Sequence, residues 1–324
     1  MSFDVLCLRP QADFTRAGVV PDPTLSIAYR APDAEDVPTL LRSVRALVIP
    51  AVGPRLAASL FDSTKLELVQ VTGAGLDRLD RDRLQSRGIA VANVPGGSNR
   101  AVAEYVVTMA SSLLRRFGSA DAELRAGRYS ECRARLLSDN VGGLEGLQVG
   151  VVGLGTIGRA VAQGLATAGC RIVYHDPALS THNDDLNAQR MSLDDLLRSC
   201  DVVTLHVPLV DATRHLIDAR ALSLMKPGAV LINAARGDVV DEMALAASLA
   251  DGSLAGAAVD VFSTEPPDAS NPLLSLTGEG ARRLILTPHI AGVTRQSSAF
   301  LFREAWQNVA RVLIEKLPPR HRVY

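Results

Sequence analysis

The chain has 324 residues, more than one hydrophobic core usually serves, which predicts two domains. Apolar residues make up 47% and charged residues 21%, which excludes a disordered chain and fits an α/β protein with parallel strands buried on both faces. Basic and acidic residues nearly cancel, to a net charge of −1 at pH 7. We therefore expect no nucleic-acid partner and no attraction to an anionic membrane.

The beginning of the chain and the cysteines bear on where the protein resides. Residues 1–10 hold only a short apolar run interrupted by Asp4, which predicts a strand and not a secretory signal. No run of the sequence approaches the roughly 18 apolar residues of a membrane span. The four cysteines are scattered, and neither they nor the histidines show the spacing of a metal site. We expect a cytoplasmic protein with reduced thiols and no metal.

Short apolar runs alternate with polar or helix-like segments over the first hundred residues, as in parallel strands joined by crossovers. The turn residues of 95–99 end this series, and Ser98 or Asn99 can cap the helix that follows. Residues 117–140 are charged and less regular. The strands predicted in this part cover residues 3–8, 46–49, 66–71 and 89–92.

A second series of apolar runs begins at residue 148, with helical patterns in most of the gaps, and this alternation predicts a doubly wound parallel sheet. After Gly292 an amphipathic pattern predicts a long helix over 295–316. The strands predicted in this part cover residues 148–152, 171–174, 202–207, 229–233, 257–261 and 284–286.

The first strand of the second series runs directly into a G-x-G-x-x-G pattern formed by Gly153, Gly155 and Gly158. Gly153 allows a tight turn, Gly155 leaves room for a pyrophosphate, and Gly158 lets the following helix pack against the strand. Asp176 ends the next strand, 18 residues after Gly158, where an acid accepts hydrogen bonds from ribose hydroxyls. Because a 2′-phosphate would face this carboxylate, NAD is favoured over NADP.

Four later stretches place polar residues at the ends of apolar strands, where open α/β sheets bind ligands. With them the chain resembles the D-isomer-specific 2-hydroxyacid dehydrogenases, from about Val69 to its end. These stretches are L-H-V-P-L at 205–209, N-A-A-R-G at 233–237, V-D-V-F-S-T-E-P at 259–266 and T-P-H-I-A-G at 287–292.

The resemblance implies an NAD-dependent oxidoreductase that interconverts a small 2-keto acid and its (R)-2-hydroxy acid, as glyoxylate and hydroxypyruvate reductases do. Arg236 is implied to bind the substrate carboxylate and polarise the carbonyl, a role that suits a planar guanidinium. His289 is implied to be the general acid/base, with Glu265 as its partner. Imidazole can donate and accept a proton near neutrality, and a carboxylate fixes its tautomer.

The resemblance also implies which residues line the cofactor and the substrate. The nicotinamide end is expected to meet Ala234, Arg236, Asp260 and His289; the pyrophosphate Thr156 and Ile157; and the adenine side Val207 and Pro208. Ala74 and Gly75 belong to the expected substrate-binding loop, residues 71–77.

Departures from the family pattern leave the substrate side chain open, and the physiological direction with it. Val71 and Thr72 stand where many phosphoglycerate dehydrogenases carry an arginine, which disfavours a phosphorylated substrate. Tyr105 stands where many relatives have histidine and receives no role. Residues 125–135 are more charged than the family version.

We expect a discontinuous substrate domain, 1–98 plus 292–324, of flavodoxin-like type, and a Rossmann NAD-binding domain, 99–291. Substrate would bind between them, with hinges at 96–99 and near 292. The helix from Arg100 forms the dimer interface in relatives, so a homodimer is expected.

Other interpretations remain open at this point. Arg236 could pair with a nearby aspartate, His289 could be a core histidine, and Glu265 could be a solvated acid. His206 is interpreted as structural or as part of the cofactor wall. An NAD(H)-sensing protein like the C-terminal-binding-protein corepressors would share the fold, and a formate or phosphite dehydrogenase would share the hydride chemistry.

Overall fold

The computed structural model describes residues 3–62, 65–179 and 186–324. Contacts between Cα atoms divide the chain into two compact units, residues 1–98 with 293–324 and residues 99–292. We call them the smaller and the larger unit. This division places Gly292 with the larger unit, one residue away from the predicted boundary.

The strands of the described residues are short and belong to two parallel sheets. In chain order they are β1 (Val5–Cys7), β2 (Ile27–Tyr29), β3 (Ala46–Ile49), β4 (Leu68–Val71), β5 (Ala90–Ala92), β6 (Gln148–Val152), β7 (Arg171–His175), β8 (Gln189–Arg190), β9 (Val202–Leu205), β10 (Val230–Asn233), β11 (Gly256–Val259) and β12 (Leu284–Leu286).

Helices connect most of these strands and cover the faces of the sheets. In chain order they are α1 (Gln11–Arg16), α2 (Val37–Leu41), α3 (Arg81–Ser86), α4 (Asn99–Leu114), α5 (Phe117–Arg125), α6 (Tyr129–Ser138), α7 (Thr156–Thr167), α8 (Leu193–Ser199), α9 (Ala219–Leu224), α10 (Glu242–Asp251), α11 (Gly278–Arg282) and α12 (Arg295–Leu313).

The smaller unit contains a five-stranded sheet in the order β2-β1-β3-β4-β5, which is the order of flavodoxin-like folds. Its C-terminal helix α12 packs on this sheet, and Phe302 and Trp306 meet Phe14 edge to face with ring centroids 4.8 and 5.4 Å apart. A buried hydrogen bond of 2.6 Å from Asn308 Nδ2 to Gln70 Oε1 joins α12 to β4. Residues far apart in sequence therefore form one core.

The larger unit contains a seven-stranded sheet in the order β12-β11-β10-β9-β6-β7-β8. Strands β9, β10 and β11 are buried along their whole length, as expected for parallel strands covered on both faces. Helix α4 packs against α7 on one face. The strand order reverses between β6 and β9: β7 and β8 are added on one side of β6, and β9 to β12 on the other. At such a switch point the carboxyl ends of the strands form a ligand crevice.

The predicted fold class, two doubly wound parallel-sheet domains, is confirmed. The sequence reading did not predict strands β2 and β8. Strand β2 has only three residues, of which Ala28 alone is buried, and the two residues of β8 are polar and exposed. Residues 117–140, whose pattern is charged and less regular, contain helices α5 and α6. Their buried side chains are only Glu123 and Cys132, which leaves no apolar periodicity to recognise. None of the described helices combines the length and apolar character needed to cross a membrane.

Candidate active site

Two glycines of the G-x-G-x-x-G loop are required by the fold itself. Gly153 has a φ of +90°, and a Cβ atom there would lie 2.6 Å from the carbonyl oxygen of His206. A Cβ atom on Gly158 would lie 2.0 Å from the carbonyl oxygen of Gly153. Side chains at either position would push the loop away from β9 or from the start of α7.

Gly155 differs from the other two, because a Cβ atom on it would meet nothing within 4 Å. The residue is exposed and precedes α7, whose first turn has no side-chain cap at this position. Unpaired amides and the positive end of the helix dipole therefore face open space, next to the exposed Thr156 and the half-buried Ile157. This cradle fits the pyrophosphate of a dinucleotide.

Asp176 follows β7 and is bound to the glycine loop. Its Oδ2 atom accepts a hydrogen bond of 2.8 Å from the backbone N–H of Leu154, and Oδ1 accepts one of 2.9 Å from Ala178. Each carboxylate oxygen retains a further acceptor position, as a ribose contact requires. Val207 and Pro208 follow β9, and a Cβ atom on Gly153 would lie 2.9 Å from Val207 Cγ1.

Arg236 lies in a tight turn after β10 that Asn233 shapes. The buried Asn233 side chain donates to the Arg236 carbonyl at 2.9 Å and accepts from the Ala235 N–H at 3.1 Å. A Cβ atom on the next residue, Gly237, would lie 1.9 Å from the carbonyl carbon of Phe262. The half-buried Arg236 donates to the Ala235 carbonyl at 2.7 Å. Ala234, also half-buried, precedes this turn.

Glu265 and His289 form a pair: Glu265 Oε2 lies 2.7 Å from His289 Nδ1, and Glu265 Oε1 accepts from the Phe262 N–H at 3.1 Å. Burial raises the pKa of Glu265, but the hydrogen bond and charge of His289, the Phe262 amide and the charge of Arg236 together lower the pKa below its usual value. The ionised carboxylate only accepts hydrogen bonds, so Nδ1 of His289 carries a proton and Nε2 is available for proton transfer.

His289 adopts an unusual backbone conformation, with a φ of +53°, in the left-handed region that few residues other than glycine enter. Its N–H donates to the carbonyl oxygens of Asp260 at 2.8 Å and Thr287 at 3.0 Å. The buried Asp260 carboxylate accepts from the Thr287 hydroxyl at 2.6 Å and from the Ile290 and Ala291 amides at 2.8 Å each. Asp260 thus holds the turn on both sides of His289, a role that the sequence did not indicate.

His206 follows β9 and stays uncharged. Burial lowers its pKa to about 3, and its Nε2 atom lies 2.9 Å from the Thr204 hydroxyl oxygen. Its Nδ1 atom is buried without a hydrogen-bond partner in the structure. Because the His206 carbonyl also borders Gly153, these contacts agree with the structural or cofactor-wall interpretation.

The smaller unit carries the loop after β4 that contains Ala74 and Gly75. Ala74 is exposed, and its carbonyl accepts a hydrogen bond of 2.8 Å from Asn93 Nδ2. The loop follows the carboxyl end of a parallel strand, where ligands bind in such sheets. Among the described residues, no three His, Cys, Asp or Glu side chains are grouped so that they could hold a metal ion.

The larger unit combines a strand that leads into a glycine turn with open amides and, on the same sheet, a histidine paired with an acid. This combination defines a nicotinamide-dependent dehydrogenase. Residues 107–291 match the family model for the NAD-binding domain of D-isomer specific 2-hydroxyacid dehydrogenases. The chain belongs to this family, and NAD is its cofactor.

Relatives with named activities fall in the same family. The (S)-sulfolactate dehydrogenase of Chromohalobacter salexigens is 40% identical over 298 residues, which cover 89% of this chain and 92% of the relative. A glyoxylate reductase of Thermofilum pendens is 33% identical over 326 residues, covering 96% and 94%. The solved structure of the TT0316 protein from Thermus thermophilus superposes with a TM-score of 0.81 at 30% identity and covers 99% of both chains. The protein is an NAD-dependent 2-hydroxyacid dehydrogenase.

Proposed function

We propose that the protein interconverts a small 2-keto acid and its (R)-2-hydroxy acid, in the manner of a glyoxylate or hydroxypyruvate reductase. The observation that carries the proposal is the 2.7 Å contact between Glu265 and His289, which prepares an imidazole for proton transfer at its other nitrogen. The similarity to a glyoxylate reductase of Thermofilum pendens also supports it.

When bound, NADH would supply a hydride to C2 of the keto acid. Arg236 binds the substrate carboxylate through paired hydrogen bonds and polarises the carbonyl. His289 gives the proton on Nε2 to the oxygen that becomes negative at C2, while the Glu265 carboxylate stabilises the imidazolium beforehand. In oxidation the neutral imidazole takes the hydroxyl proton instead.

The cofactor contacts follow the same proposal. The α7 amides at Thr156 and Ile157 would hold the pyrophosphate, Asp176 would bind the adenosine ribose, and Val207 and Pro208 would flank the adenine side. The nicotinamide end would be lined by Ala234, Arg236, Asp260 and His289. In the smaller unit, Ala74 and Gly75 are the residues proposed to contact the substrate.

A panel of 2-keto acids assayed by NADH consumption tests the proposal, with His289→Gln as the decisive variant. Turnover is expected to fall roughly 10²- to 10⁴-fold while NADH binding is retained, because only proton transfer is removed. His215→Gln is the control, since His215 is exposed and belongs to the same unit. Unchanged turnover in His289→Gln removes His289 from the mechanism, and no turnover of any keto acid by the unmutated protein contradicts the function itself.

We also propose a homodimer. Apolar side chains of α5 and α6 are exposed by 48 to 62%, close to α4 in the chain, and a second copy would remove them from water. Sedimentation that shows only monomer at micromolar concentration contradicts this. The exposed apolar side chains of α5 and α6 are Phe117, Leu124, Tyr129 and Leu137.

A further inference from the structure

Tyr105 on α4 contacts the turn that carries the acid/base histidine. Its hydroxyl oxygen lies 2.7 Å from the Thr287 hydroxyl oxygen, although 182 residues separate the two in sequence. The tyrosine ring is half-buried against the core between α4 and the sheet. Neither the proposed chemistry nor the cofactor contacts use this side chain.

The direction of each hydrogen bond in this series follows from the atoms present. Asp260 accepts from two backbone amides and from Thr287, whose single hydroxyl proton points at Asp260 Oδ1 over 2.6 Å. That proton is therefore engaged, and the Thr287 oxygen can only accept from Tyr105. The Tyr105 O–H donates to Thr287, Thr287 donates to Asp260, and Asp260 holds the amides that follow His289.

The turn needs this support because His289 has a left-handed backbone, a conformation that persists only where surrounding contacts fix it. A threonine hydroxyl proton turns to suit the partners around it, and a donor on its oxygen favours the orientation in which the proton points away from that donor. With Tyr105 bonded to its oxygen, the Thr287 proton stays on Asp260. The carboxylate in turn stays in the position that accepts from Ile290 and Ala291.

We propose that Tyr105 is a positioning residue for catalysis, which acts through Thr287 and Asp260 to hold the His289 turn in its reactive orientation. The inference rests on the proposed function, because it presumes that His289 transfers the proton. Tyr105 itself touches neither substrate nor cofactor in this scheme. Burial raises the pKa of Tyr105 to about 12, so the hydroxyl keeps its proton throughout the working pH range.

The test is Tyr105→Phe, which keeps the ring and removes only the donor. We expect kcat to fall by about tenfold, since small displacements of a catalytic group are costly, with the Kd of NADH changed less than about twofold. A purely structural role would lower Tm without this difference between kcat and Kd. The matched control is Tyr174→Phe, because the buried Tyr174 hydroxyl has no hydrogen-bond partner in the structure and kcat should not change.

A double-mutant cycle with Thr287→Val makes the assignment specific. If Tyr105 acts through Thr287, the double variant has the same kcat as Thr287→Val alone; if the two losses multiply, the proposed connection is overturned. Unchanged kcat in Tyr105→Phe overturns it as well. Should Tyr105→Phe fail to fold, Thr287→Val is measured in its place. A fall in kcat at constant NADH affinity supports the role of these linked hydrogen bonds, and an unchanged kcat contradicts it.

The outcome is distinguishable from failure of the proposed function. If the unmutated protein reduces keto acids and His289→Gln abolishes turnover, a normal Tyr105→Phe variant contradicts only the positioning role. If His289→Gln remains fully active, the acid/base assignment falls first, and the role of Tyr105 falls with it.

Discussion

The Glu265 carboxylate and the His289 imidazole meet at 2.7 Å, across 24 residues of sequence. Glu265 is held in turn by the Phe262 amide, directly opposite the position where Gly237 leaves no room for a side chain. The turns after β10 and β11 therefore pack closely together, and this packing fixes the position of the Glu265 side chain. The electrostatic pairing of the site follows from this backbone packing.

The pH dependence of catalysis should have an acid limit set by Glu265. The pKa of Glu265 is lowered in the folded protein, so the carboxylate remains ionised below pH 4.5, its ordinary pKa. It becomes protonated and stops pairing with His289 only at lower pH. By the same linkage, the stability it contributes is fully present above 4.5 and disappears as the pH falls through the lowered pKa.

Glu265→Gln removes that dependence along with the negative charge. We expect a lower rate of keto-acid reduction at neutral pH, by about tenfold or more, because the imidazolium loses its stabilising partner. The measurement is kcat against pH for both proteins. An unaltered profile in the variant would show that Glu265 has no part in proton transfer.

Arg236→Lys tests the paired hydrogen bonds to the substrate carboxylate. Loss of one charged hydrogen bond, about 1.5–3 kcal/mol, raises KM for the keto acid by about 10- to 100-fold. Arg214→Lys is the control, since Arg214 forms an exposed ion pair with Asp238 in the same unit. KM values that stay equal in both variants would remove Arg236 from substrate binding.

Gly155→Ala separates cofactor binding from folding. The added methyl group enters open space, so Tm without cofactor should not change, whereas the affinity for NADH falls by about tenfold or more because the methyl occupies the pyrophosphate position. Gly158→Ala is the contrast, because its Cβ atom collides with the Gly153 carbonyl and lowers Tm. Normal NADH affinity in Gly155→Ala would place the pyrophosphate elsewhere.

Asp176→Asn tests the preference for NAD. The amide keeps an acceptor for the Leu154 N–H and removes the charge that repels a 2′-phosphate. We expect weaker binding of NADH and a smaller ratio of NADH to NADPH efficiency, measured as kcat/KM for each. If the unmutated protein already prefers NADPH, the assignment of Asp176 is wrong.

His206 should make the larger unit sensitive to moderate acid. Burial lowers its pKa from 6.5 to about 3, so between these values the unfolded chain binds a proton that the folded protein does not, and stability falls as the pH decreases. In His206→Gln the drop in Tm between pH 7 and pH 5 should be smaller. An equal drop in both proteins would mean that other groups cause the acid sensitivity.

The positions of the main strands could be predicted from the sequence, because parallel strands buried on both faces appear as continuous apolar runs. Strands β3, β6 and β12 begin and end at the predicted residues. Helices α5 and α6 could not be predicted, since Glu123 and Cys132 are their buried residues and no apolar face with a helical period turns to a core.

The sequence alone determined that Arg236, Glu265 and His289 follow separate strands of one parallel sheet, and carboxyl ends of such strands share an edge. Only the tertiary structure decided which atoms meet there. The tertiary structure gives His289 its left-handed backbone. It also joins distant segments through the hydrogen bond of Thr287 to Asp260 and the contact of Tyr105 with Thr287, which are 182 residues apart. Such contacts depend on how helices pack against the sheet, and local sequence patterns do not encode that packing.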